Sequence, residues 1–253
     1  MRILCSNDDG IHSGGLTALE DIARELTDDV WTVAPEVDQS GMSRSITLTR
    51  PLRVRKVAPQ RYAVDGTPTD CVQLGVSQIL DAKPDLVLSG VNNGHNLADD
   101  VTFSGTIAVA LQGMNLGIPA IALSQSRSDR HATKWPTSKA HAPGIIRQLL
   151  DVGWPKDVII NINFPDRDPE EVEGVEIVSQ GRRENIELYA EERTDLRQRR
   201  YYWFGFSGTQ DLPPEGSDLR AVKDGKIAIT PLHIDLTHAD SMAVLTKAFE
   251  AKG

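Results

Sequence analysis

Met1-Arg2-Ile3-Leu4-Cys5-Ser6-Asn7-Asp8-Asp9-Gly10 compresses a strand and a polar turn into one short stretch. The apolar run at residues 3–5 reads as a buried strand, and it leads straight into Asn7, two adjacent carboxylates and a turn-making glycine. In an α/β sheet, chemistry sits at the carboxyl ends of the strands. Two neighbouring carboxylates repel each other unless a cation or proton lies between them. Hard divalent metals such as Mg²⁺, Mn²⁺ or Ca²⁺ take oxygen ligands of this kind. An isolated Asp-Asp-Gly is a polar turn; its place directly after a buried strand gives it a second meaning.

Outward from this stretch the chain alternates strand and helix. A helix over residues 15–26 carries Leu16, Leu19, Ile22, Ala23 and Leu26 at helical spacing. Residues 30–34 form a second strand, stopped by Pro35. Thr67-Pro68-Thr69-Asp70 starts a helix, with Thr at the N-cap and Pro at the first helical position; it continues through Val72, Leu74, Val76 and Ile79. Residues 85–89 form a third strand, followed by an Asn- and Gly-rich loop over 90–103. A further helix opens at Ser104-Gly105-Thr106 and runs through Leu111. Strands follow at 120–123 and 158–162. The expected fold is therefore α/β: a Rossmann-like three-layer core with a mainly parallel sheet.

Beyond Phe164 the texture changes. Residues 182–200 are charged and poor in core residues, and Tyr201-Tyr202-Trp203-Phe204 follows. This reads as an extended β-hairpin arm and a packing surface. Residues 227–230 form a late strand and 238–251 a terminal helix. We accordingly divide the chain into a Rossmann-like catalytic core, 1–165, and a C-terminal part, 166–253, with arm and terminal helix, within one domain overall.

The chain has 253 residues, 40% hydrophobic and 25% charged, with a formal net charge of −9. That balance argues against general nucleic-acid binding, which needs a basic surface. Two cysteines, Cys5 and Cys71, lie in apolar patterns and read as buried free thiols, in keeping with a cytoplasmic location. No charged-then-apolar leader is present, and no run of about 18 apolar residues suggests a membrane span.

Three further loops belong at the strand ends beside Asp8 and Asp9. They are Asp38-Gln39-Ser40-Gly41-Met42-Ser43, then Ser89-Gly90-Val91-Asn92-Asn93-Gly94-His95-Asn96, and Ser104-Gly105-Thr106. Two carboxylates with a Ser hydroxyl and an Asn carbonyl make a hard metal site with open positions. Ser104-Gly105-Thr106 at a helix N-terminus is an anion site. Metal beside an anion pocket is the layout of phosphoryl chemistry. His12, His95 and His233 read as structural or supporting residues.

The ordered blocks Ser6 to Gly10, Ala34-Pro35, Ser40-Gly41, Gly66-Thr67-Pro68-Thr69-Asp70-Cys71, Ser89-Gly90-Val91-Asn92 with Gly94 and Asn96, Asp99-Asp100, Ser104-Gly105-Thr106 and Thr230-Pro231-Leu232-His233 with Asp235 resemble the survival protein SurE family. The match runs from residue 1 to about 237. The resemblance implies a metal-dependent phosphatase of nucleoside 5′-monophosphates, with 3′-monophosphates as further substrates; an exopolyphosphatase side activity is a second enzyme reading that the same pocket supports. It implies one divalent ion per subunit, Mg²⁺ or Mn²⁺, held by Asp8, Asp9, Ser40 and Asn92. It places Gly41, Ser43, Asn96, Ser104, Gly105 and Thr106 around the phosphate. It further implies a homodimer or homotetramer built through the arm and a swapped C-terminal segment. His95 departs from the pattern, standing where a Pro is familiar. In the mechanism expected, the metal positions a water, and Asp8 or Asp9 takes its proton or attacks phosphorus directly. A non-catalytic nucleotide sensor using the same pocket is the competing class.

Overall fold

The computed structural model describes residues 1–128, 131–184, 186–208 and 212–250. Strand β1 (Ile3–Ser6) is buried along its whole length. Alternate side chains of a strand point to opposite faces. Ile3 and Cys5 accordingly join one core, with Leu16, Leu19 and Ile22 of α1 (Gly14–Arg24), while Leu4 joins a second core on the other face. Helix α1 starts one residue earlier and stops two residues earlier than its apolar spacing predicts. Ser13 caps it, its hydroxyl accepting from Leu16 N at 3.3 Å.

The chain continues through β2 (Val30–Pro35), β3 (Val54–Ala58), β4 (Arg61–Val64), α2 (Pro68–Leu74), β5 (Leu86–Asn93), α3 (Gly105–Asn115), β6 (Ala120–Gln125), α4 (Trp135–Val152), β7 (Ile159–Phe164), β8 (Val175–Ile177), β9 (Ile186–Thr194), β10 (Arg200–Gly208), α5 (Asp218–Lys223), β11 (Ile227–Leu232) and α6 (Ala239–Glu250). Nine strands form one sheet in the order β3-β4-β2-β1-β5-β6-β7-β11-β8. The neighbours are parallel except β3–β4 and β7–β11. Helices α1 and α4 cover one face, and α2 and α3 cover the other. Each fully buried Leu or Ile in these cores contributes about 1.5–3 kcal/mol. The α/β fold with a mainly parallel sheet is the one expected. The chain leaves β1 toward β2 on one side and returns through β5 on the other. The reversal of strand order therefore falls between the carboxyl ends of β1 and β5, where such folds bind ligands.

Helix α2 begins as expected. Thr67 and Asp70 form a reciprocal capping box with Pro68 in the first turn. Its predicted length is corrected: the α-helix stops at Leu74, and Gly75–Ile79 forms one wider π-helical turn. There Gly75 faces the side chains of Leu4 and Val33, which an added Cβ would meet at 3.3 and 3.4 Å.

Strands β8 and β11 return the C-terminal part to the main sheet, β11 pairing with β7. Strands β9 and β10 form the expected hairpin as a separate two-stranded sheet. Helix α6 buries none of its residues. Cys5 and Cys71 are free and buried. Among the described residues no helix is long and apolar enough to cross a membrane.

Candidate active site

The turn after β1 is held from within. Asn7 Nδ2 donates to Ser13 Oγ at 2.7 Å and to Gly10 O at 3.2 Å, and Gly10 adopts φ +96°, a conformation that suits glycine. This stapling fixes Asp8 and Asp9 at the mouth of the sheet. Asp8 is almost wholly buried, and its Oδ1 accepts from Thr106 Oγ at 2.7 Å. Asp9 is partly exposed, and its Oδ2 accepts from Asn93 N at 3.3 Å.

Helix α3 meets Asp8 through Gly105. A Cβ there would lie 2.6 Å from Asp8 Cβ and 2.8 Å from Asp8 Oδ2. Glycine is what lets the helix N-terminus close on this carboxylate. Ser104 caps the helix, Ile107 N donating to its Oγ at 3.1 Å.

The loop after β2 is tied to the same place by Gln39 N, which donates to Asp8 O at 2.8 Å. Ser40 Oγ donates to Asp38 Oδ1 at 2.6 Å. Its proton is therefore spent on Asp38, and its lone pairs stay free. Asn92 Nδ2 donates to Gly94 O at 3.1 Å; among the described residues its Oδ1 has no partner. Gly41 has φ +77° and open space around it. Ser43 adopts φ 51°, with N donating to Phe103 O at 3.1 Å and Oγ to Thr102 O at 2.8 Å.

Two expected phosphate contacts have other immediate partners. The Thr106 hydroxyl is fully buried and committed to Asp8. Asn96 is buried in a polar network: Nδ2 donates to Ser124 Oγ at 2.8 Å, N donates to Asn163 Oδ1 at 2.8 Å, and O accepts from Asn161 and Asn163. Ser124, Asn161 and Asn163 escaped the sequence reading because they lie inside strands whose apolar neighbours dominate the pattern.

Electrostatics set the character of the site. Burial holds the Asp8 carboxyl above its ordinary value, although the Thr106 hydroxyl and backbone N–H groups pull it down. Burial, then the charge of Asp8, pushes Asp9 up to about 6. The charges acting on this pair are carboxylates: Asp38 on both, and Asp8 on Asp9. Among the described residues no group of three or more His, Cys, Asp or Glu side chains is placed to hold a metal. A cation here would draw two charged oxygens from Asp8 and Asp9 and neutral oxygens from Ser40 and Asn92. That all-oxygen donor set fits a hard divalent ion.

A further cation stands near the site. Arg183, at the foot of the arm, donates from N to Asp99 Oδ2 at 2.8 Å and from Nη2 to Asp100 Oδ2 at 2.6 Å and His95 Nε2 at 2.9 Å. No local pattern announces contacts this far apart in the chain. His12 and His233 are exposed.

The sequence profile of the family described as Survival protein SurE matches residues 3–187. The chain belongs to the SurE family. It is 56% identical over 249 residues to a protein from Caulobacter vibrioides (strain NA1000 / CB15N) named 5′-nucleotidase SurE, covering 97% of this chain and 95% of that one. It is 50% identical to 5′-nucleotidase SurE of Hyphomonas neptunium, covering 99% of this chain and 100% of the relative. The crystal structure of the SurE protein from Aquifex aeolicus superposes with a TM-score of 0.84 at 37% identity, covering 98% of this chain and 99% of that one. The SurE resemblance read from the Asp8-Asp9 and Ser104-Gly105-Thr106 blocks is thus borne out.

Proposed function

We propose that the chain is a divalent-metal-dependent phosphomonoesterase that hydrolyses nucleoside 5′-monophosphates to nucleoside and phosphate. Nucleoside 3′-monophosphates and the terminal phosphate of polyphosphate are its side substrates. The observation that carries the reading is the Asp8–Asp9 pair, Asp8 buried and Asp9 half-buried, with the Asp38 carboxylate as a further neighbouring negative charge, set where the strand order reverses and with the N-terminus of α3 closing on Asp8. The names of the relatives, 5′-nucleotidase SurE, support it.

In this reading Asp8, Asp9, Ser40 Oγ and Asn92 Oδ1 hold one Mg²⁺ or Mn²⁺ per subunit. Such an ion supplies positive charge to the phosphoryl oxygens and lowers the pKa of water beside it. The protein does the rest. Thr106 fixes the Asp8 carboxylate by donating to Oδ1. Asp38 accepts the hydrogen bond of the Ser40 hydroxyl, which leaves that oxygen's lone pairs for the ion. Gly41, Ser43, Ser104 and Gly105 border the phosphate, and the positive end of the α3 dipole favours its negative charge. Asn96 shapes the pocket through its loop. Asp9 Oδ1, without a partner among the described residues, is the oxygen available to accept the proton of an attacking water.

We assign catalysis to residues 1–165 and association to 166–253. The exposed apolar residues of α6, Met242, Val244, Leu245 and Phe249, and the aromatic arm fit a homodimer or homotetramer with a swapped C-terminal segment. Two free buried thiols fit the reducing cytoplasm.

The test is phosphate release from 5′- and 3′-monophosphates and polyphosphate by chelator-treated protein, with Mg²⁺ or Mn²⁺ restored. The expected result is metal-restored release, fastest from 5′-monophosphates. Tight nucleotide binding without release under either metal would favour the sensor class and overturn the proposal.

A further inference from the structure

The foot of the hairpin stands beside the loop that follows β5, and a cavity of about 260 Å³ lies between them, lined by His95, Asp100, Arg183, Ile186 and Phe206. The loop side is fixed by charge. Arg183 grips both carboxylate oxygens of Asp100, from Nε at 3.2 Å and from Nη2 at 2.6 Å, and its backbone N donates to Asp99. Asp218 braces the same segment, accepting from Ala98 N at 2.8 Å and Gly181 N at 2.9 Å.

Arg183 Nη2 also meets His95 Nε2 at 2.9 Å. A guanidinium only donates, so Nε2 is the acceptor and the imidazole carries its proton on Nδ1. Desolvation, then the charge of Arg183, holds the pKa of this half-exposed ring below its ordinary value against the pull of Asp100 and Asp218. Among the described residues, Nδ1–H has no partner.

The arm side is apolar. Phe206 pairs with Leu188 and Ile186 with Gly208, so Ile186 and Phe206 share one face of the hairpin. Phe206 is 76% exposed, which leaves an aromatic face open. One loop carries both a lining residue of the cavity, His95, and a neighbour of the acidic pair, Asn93. Asn93 N donates to Asp9 Oδ2, and His95 follows two residues later, its Cα at most about 7.6 Å from that of Asn93. A nucleotide carries its base and its phosphate on one sugar, so a base seat on the loop that also contacts the acidic pair fits a single ligand.

We propose that this cavity seats the base of the substrate nucleotide, with Phe206 as the stacking platform and His95 Nδ1–H as a donor to a base acceptor. The volume suits one heterocycle. It is just below the roughly 300–1,000 Å³ of sites for drug-sized ligands. Stacking on an aromatic ring tolerates any base, since every base has a π-face; broad base acceptance follows. The inference rests on the nucleotidase reading above.

The test compares 5′-AMP and 5′-UMP with ribose 5-phosphate, which offers the same ester without a base. Wild type is expected to prefer both nucleotides. Phe206→Ala lowers the ratio of kcat/KM for 5′-AMP to that for ribose 5-phosphate about tenfold, mainly through KM. His95→Ala lowers it severalfold. Equal losses on both substrates would overturn the assignment, since they report a structural role alone. So would a wild type that prefers ribose 5-phosphate. Calorimetric binding of 5′-AMP separates the two readings. Phe206-dependent binding by a protein that hydrolyses none of these esters keeps the base site and rejects the nucleotidase; binding unchanged by Phe206→Ala rejects the base site.

Discussion

Gly105→Ala places one methyl group against the side chain on which the proposed chemistry depends. The added Cβ would lie 2.6 Å from Asp8 Cβ and 3.0 Å from Asp8 Cγ. Nonbonded carbons rest at about 3.5–4.0 Å, so Asp8 and the start of α3 must part by about 1 Å. The backbone at residue 105 is ordinary helix, and alanine has the better helix propensity by about 1 kcal/mol. That gain offsets part of an overpacking cost of about 1–3 kcal/mol. The variant therefore folds, with Tm within a few degrees of wild type. A displacement of 1 Å in a reacting group costs about 100-fold. The expected outcome is a fall of about two orders of magnitude in kcat/KM for phosphate release from 5′-AMP, with weaker Mn²⁺ binding by calorimetry. Full activity with unchanged Mn²⁺ affinity would refute the claim that α3 closes on a working Asp8.

Three other outcomes follow from the same geometry. Asp8→Asn keeps an acceptor for the Thr106 hydroxyl but loses the charge, so the fold survives. Phosphate release should drop about 10³-fold, matching several kcal/mol of lost charge stabilisation at 1.36 kcal/mol per tenfold, and near-normal rates would count against the site. Chelation should lower Tm and Mn²⁺ should restore it. An ion at 100 times its Kd adds about 2.7 kcal/mol, or about 5–10 °C for a chain of this size, and a Tm indifferent to both would contradict tight binding. Cys5 and Cys71 are fully buried, and burial pushes both thiols up. Ellman's reagent should find neither in the native protein and both in guanidinium; rapid labelling of the native protein would contradict the packing.

Much of the working end of the molecule was legible because its signals are local. The strand at Ile3 to Ser6, the Thr67–Asp70 capping box and the Ser104 cap are patterns of a few adjacent residues, and the structure carries each of them. What escaped depends on distance or on mixed signals. Helix α4 holds Pro136 in its first turn, Pro143 inside and Gly144 beside it, which breaks the expected periodicity. Strand β3, Val-Arg-Lys-Val-Ala, lies at the sheet edge with its first three residues exposed and so lacks an apolar alternation. The partners of Thr106, Asn96 and Arg183 lie dozens of residues away. Sequence placed Thr106 and Asn96 in the strand-end loops and Arg183 in the arm, and only the fold shows which atoms their side chains are committed to.

The central claim is that Asp8 and Asp9 form the carboxylate half of a divalent-cation site at the switch between β1 and β5. Anomalous diffraction from crystals soaked in Mn²⁺ tests it most directly. The account predicts one peak per subunit within coordinating distance of Asp8, Asp9, Ser40 Oγ and Asn92 Oδ1. A strong peak bound elsewhere, with this carboxylate pair bare at saturating Mn²⁺, would contradict it.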